Sequence, residues 1–151
     1  KELDAVEQFV TEQEAALATF KRSVFEALTQ IAVHLTPAEY AKHGRGKDDE
    51  ARRKNSENGK PGQHMASNSN QAVKQLEQEA LLEGTHHDKG GTIHSYKIFD
   101  KDIGFADGKP TRAMRAEMTG VGGGEPTVHS HPRPMEEVEK MIRNLNKKKA
   151  D

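Results

Sequence analysis

Apolar residues crowd into two stretches, 3–35 and 73–138, and almost vanish between Ala41 and Ser69. That distribution limits any core to two separated pieces of chain joined by a polar crossing. With 32% hydrophobic and 31% charged residues and a mean hydropathy of -0.92, the 151 residues are poor in core material, so part of the chain is expected to lie outside it. In the first stretch the apolar positions Leu3, Val6, Phe9, Val10, Leu17, Phe20, Val24, Leu28, Ile31 and Leu35 recur at intervals of three and four. This spacing predicts one long amphipathic helix.

Thr36-Pro37 then predicts a short helix through Tyr40, because Thr caps well and Pro suits a first turn. Residues 43–70 read as a polar connector with a turn cluster at Asn58-Gly59-Lys60-Pro61-Gly62. Ser69 or Asn70 can cap a helix over 71–83 that ends at Gly84, and residues 92–99 read as a strand. A short extended piece at 103–105, strands at 112–119 and 126–131, and a helix over 135–146 complete the pattern. The expected class is α+β: one or more N-terminal helices, a small antiparallel sheet and a C-terminal helix. The expected organisation is a helical segment at 1–40, a connector at 41–58 and a catalytic domain at 59–151.

The absence of cysteine excludes disulfides, a thiolate nucleophile and cysteine zinc sites. No apolar run reaches the roughly 18 residues of a membrane span, and Lys1 opens an amphipathic helix instead of a signal peptide. A start at Lys1 is expected of a piece cut from a longer polypeptide. The net charge of -1 hides a division: 1–40 is acidic, while 41–60 and 101–151 carry a basic surplus, a weak pointer to a polyanionic substrate.

The densest chemistry lies in Arg112-Ala-Met-Arg115-Ala-Glu117-Met-Thr119, a glycine-rich turn at 120–124, and Thr127-Val-His129-Ser-His131-Pro132. Alternation in extended chain puts His129 and His131 on one face, and Arg115, Glu117 and Thr119 on one face of the preceding strand. Paired as a hairpin, the two faces meet. The histidines could then act as base and acid on a ribose 2′-hydroxyl and a leaving 5′-oxygen, with Arg115 or Arg112 on the phosphate. They could instead bind a divalent metal, with Glu117 or another histidine as third ligand. Lys60 and His64, ahead of a helix, could receive a phosphate. His86-His87-Asp88 reads as a solvated turn, and His94 is expected to face solvent.

The order Lys60-x-x-Gln63-His64, a helix, a strand with Ile93 and Tyr96 after Gly90, Pro110-Thr111-Arg112, and a last strand with His129 ahead of Pro132 resembles C-terminal domains of bacterial polymorphic toxins. More narrowly it is similar to the ribonuclease toxins grouped with barnase, EndoU, colicin D and RelE, over about residues 58–133. The resemblance implies metal-independent RNA cleavage with His64 and His129 as acid and base and Thr111 and Arg112 on phosphate. It also implies delivery from a bacterium into a target cell's cytoplasm and an immunity protein as partner. His131 and the Arg115/Glu117 pair depart from the pattern.

Taken together, the expected activity is an endoribonuclease acting on RNA, with tRNA among the candidates, through His129, His131, His64, Arg115 and Glu117. Lys60, Thr111, Arg112 and Thr119 are expected to bind substrate, with no metal and no cofactor. The alternatives are a metal-dependent hydrolase with His129 and His131 as ligands, and a non-catalytic interaction module with a coiled-coil arm. For the former, His129-Ser-His131-Pro132 resembles metalloproteases that remove ubiquitin-like tags. Those need a downstream Ser-x-x-Asp, where this chain has Glu136-Glu-Val-Glu139.

Overall fold

A computed structural model describes residues 2–38, 46–120 and 124–150. Helix α1 (Glu2–Ile31) leads into the short strand β1 (Val33–His34). Next come α2 (Asp49–Asn55), β2 (Gln63–His64), α3 (Asn70–Glu83), β3 (Thr85–Lys89), β4 (Thr92–Ile98), β5 (Gly104–Ala106), β6 (Lys109–Thr111), β7 (Ala113–Thr119), β8 (Thr127–Arg133) and α4 (Met135–Ala150). The class is α+β as expected. The main sheet has the order β1-β8-β7-β4-β3 and a second sheet the order β2-β5-β6. All ladders are antiparallel except β1 with β8, so the main sheet is mixed.

Both faces of the main sheet are covered, which explains why its strands do not alternate cleanly between apolar and polar. On one face Ala80 and Leu81 of α3 and Phe25, Leu28 and Ala32 at the end of α1 pack on Met114, Ala116, Met118 and Val128. On the other, α4 lays Val138, Met141, Ile142 and Leu145 against Tyr96, Ile98 and Ala113. Helix α3 starts where a serine cap predicts it, with Ser69 Oγ accepting from Ala72 N at 3.1 Å. The apolar contacts of α4 reach Tyr96, Ile98 and Ala113, while Arg115, Glu117, His129 and His131 further along β7 and β8 are only partly buried, a half-open patch.

Two expectations need correction. The polar connector contains a helix, α2, whose Arg52 is buried and donates to the carbonyls of Gly46 at 2.7 Å and His64 at 3.0 Å. An arginine that caps backbone carbonyls satisfies itself without apolar neighbours, so hydropathy does not mark it as core. His86-His87-Asp88 is strand, not turn: β3 pairs with β4 along its whole length. Residues 1–40, whose packing the sequence leaves open, contribute β1 as an edge of the main sheet, and Thr36 is buried. The helix expected from Thr36 has helical backbone over 36–38, and its continuation to Tyr40 lies outside the described residues, as does most of the glycine turn at 121–123. Among the described residues no helix is long and apolar enough to cross a membrane.

Candidate active site on the main sheet

β7 and β8 pair as an antiparallel hairpin. Arg115 stands opposite His131 and Glu117 opposite His129. Because β4 pairs with β7 and β3 with β4, the rows continue across the sheet: His129, Glu117, His94 and His87 in one, His131, Arg115, Tyr96 and Thr85 in the next. Directly opposed residues share a face, so two rows of titratable groups lie side by side. Arg115 Nε sits 3.0 Å from Glu117 Oε1, and His94 Nε2 lies 4.0 Å from the same oxygen.

The two β8 imidazoles touch. His129 Nε2 and His131 Nε2 are 2.7 Å apart, with ring planes at 85°, so one ring donates to the other. Burial, followed by the charges of His129, Arg115 and Arg133, pushes the His131 pKa down to about 4, against a smaller upward pull from a backbone hydrogen bond with Gly62. His94 is likewise lowered by burial, with Glu117 opposing. Its side chain is only 13% exposed, which corrects the expectation that it faces solvent. Arg133, paired bidentately with Glu137 of α4 at 2.6 Å, closes the side of the patch nearest the helix.

The low pKa of His131 has a thermodynamic consequence. Its proton is taken up near pH 6.5 in the unfolded chain. Between pH 6.5 and about 4 the unfolded state therefore binds more protons than the folded state, and this group makes stability rise with pH across that window. His131→Asn should remove on the order of 3 kcal/mol from the stability otherwise lost as pH falls from 6.5 to about 4. Urea unfolding of both proteins at several pH values in that window tests it, and identical slopes would show that His131 does not titrate with folding.

The other expected site residues are not gathered there. His64 is fully buried and lies by Ser130, on the opposite face of β8 from His129 and His131. It cannot serve as the acid or base partner of His129 across that strand. Thr111 is buried too, and its hydroxyl donates to Arg133 O at 2.7 Å and accepts from Ala113 N at 3.2 Å, joining β6 to the sheet. Arg112 and Lys60 are exposed outside the rows, and Thr119 is exposed and hydrogen-bonded to Thr127 Oγ1 at the end of the hairpin. Among the described residues no three histidines or carboxylates are arranged to hold a metal ion.

A second polar cluster went unread in the sequence. On the α3 side of the sheet the buried Glu77 carboxylate accepts from the hydroxyls of Thr36 and Ser130, and from His34 Nδ1 at 2.8 Å. Ser130 N in turn donates to Thr36 Oγ1 at 2.9 Å, and His64 Nε2 lies 3.4 Å from Ser130 Oγ. The signal for it was phase: Glu77 stands four residues after Val73 and four before Leu81, within the buried stripe of α3. With Glu77 and Ser130 at most 1% exposed, the cluster is a tie between β1, α3 and β8, closed to substrate.

Comparison with protein-family models, with curated proteins and with solved structures finds no match to this chain.

Proposed function

We propose that the chain is a metal-independent endoribonuclease of the toxin type, with its active site on the half-open patch of β7 and β8. The observation that carries the reading is the square of His129, His131, Arg115 and Glu117 set by the hairpin register, with its two imidazoles in direct hydrogen bond. Joined imidazoles can accept one proton and return it. As the ribose 2′-oxygen bonds to phosphorus, its proton passes to His129. The bond from phosphorus to the 5′-oxygen then breaks, and the pair gives the proton to that oxygen. A cyclic phosphate and a free 5′-hydroxyl result. Arg115 stabilises the charge that builds on the phosphate oxygens, exchanging its present contact with Glu117 for the substrate.

The sequence resemblance to ribonuclease toxins supports RNA as substrate, an immunity protein as partner and the cytoplasm of a target cell as the place of action. Cleavage of total RNA by the purified chain should proceed undiminished in excess EDTA. Loss of activity on chelation with recovery on adding zinc or manganese would overturn the mechanism, and an inert protein with all described elements folded would overturn the reading itself.

A further inference from the structure

Helix α1 carries two apolar faces, and the protein uses only one of them. Phe25, Leu28, Thr29 and Ala32, at its C-terminal end, pack on the domain. The other face runs the full length of the helix in water. Leu3, Val10, Leu17, Val24 and Ile31 repeat every seven residues, and Val6, Gln13, Phe20 and Ala27 repeat every seven between them. Leu3 is 76% exposed and Phe20 66% exposed. A seven-residue repeat over four heptads, interrupted only by the polar Gln13, keeps one seam facing a helical partner only if the two supercoil, so the pattern specifies a helix as occupant. A membrane surface fits less well, since helices lying on membranes carry basic polar faces and residues 2–20 hold five carboxylates and no lysine or arginine.

We infer that this seam pairs with the same seam of a second copy, antiparallel, with residue 15 at the dyad. Charge chooses the direction. Parallel pairing would lay the acidic first half of α1 against itself, whereas antiparallel pairing brings Glu7 of one helix to Lys21 of the other. Size agrees with it: Leu3 meets Ala27, Val6 meets Val24, Val10 meets Phe20, and the flanking Phe9 lies over Ser23. Leu3, Val6, Val10, Leu17, Phe20 and Val24, the apolar seam residues with a partner in this register, together leave on the order of 600 Å² of surface exposed per helix, at the top of what isolated proteins show. Two such faces together reach the roughly 1,200–2,000 Å² of a stable interface. One contact in this register is unfavourable: Glu14 meets its own copy beside the dyad.

Sedimentation of the full chain over a wide concentration range should give a species of twice the 16.7 kDa chain mass. Phe20→Asp, far from the packed end of α1, should leave a folded monomer at every concentration. Glu14→Gln should tighten the dimer about two- to fivefold, as expected for relief of one exposed like-charge contact. The chain lacks cysteine, so direction can be read by oxidation: a mixture of Val6→Cys and Val24→Cys proteins should give the mixed disulfide. A wild-type monomer throughout would overturn the inference. So would a Val6→Cys protein that oxidises mainly with itself, or seam-dependent binding of α1 to phosphatidylcholine vesicles with or without phosphatidylserine while the chain stays monomeric.

Discussion

Replacing His129 by alanine should slow cleavage of a defined RNA by about 10²–10⁴-fold, the usual loss when one proton-transferring group is removed. In the proposed mechanism His129 takes the proton of the 2′-hydroxyl, and His131, whose pKa burial lowers to about 4, shares it through the 2.7 Å contact. His131→Ala should therefore also slow the reaction, and the double variant should be little worse than His129→Ala alone, since the two act as a unit. Arg115→Ala should cost more than Arg112→Ala, because only Arg115 stands in the row of His131. His86→Ala is the control: that ring lies on the other face, against Phe25, and the rate should hardly change. Rates are to be compared among variants shown to be folded. An unchanged rate for both His129→Ala and His131→Ala would remove the patch from consideration as the active site.

Glu77→Ala should lower the free energy of unfolding by about 3–5 kcal/mol, the range for breaking a buried charged contact from one side. The truncation leaves His34 Nδ1 and the hydroxyls of Thr36 and Ser130 without their acceptor in a region closed to water, and it opens a cavity beside Val73 and Leu81. Urea unfolding at neutral pH measures it. A loss below about 1 kcal/mol, the net worth of an ordinary hydrogen bond, would mean that water or neighbouring groups replace the carboxylate.

The hairpin was legible because alternation alone decides which of its residues share a face. Arg115, Glu117, His129 and His131 needed only period two and a short connection to be placed on one face, while the opposition of Arg115 to His131 and Glu117 to His129 is seen only in the pairing itself. Helix α3 was legible from its serine cap and its glycine stop. What could not be read depends on pairings distant in sequence. Nothing local says that β3 and β4 extend the row of His129 to His94 and His87, or that α4 covers half of that face. Where both faces of a sheet are covered, a polar residue out of phase with its apolar neighbours is not thereby exposed. His94 shows this directly. The buried Arg52 and Glu77 were missed for a related reason: each is satisfied by specific partners, and hydropathy averages over residue types without seeing partners.

The parallel contact of β1 with β8 also governs the order in which a growing chain can be completed. Thr36 and Ser130, 94 residues apart, are bound to the same carboxylate, so this edge of the main sheet cannot close until β8 has been made. At roughly 5–20 residues per second, that leaves α1 outside the ribosome for several seconds before the strand that anchors its far end exists. During that interval β8 is missing and no His129–His131 pair can form. A chain released before β8 would carry the N-terminal helix in full and lack the strand on which its end is paired.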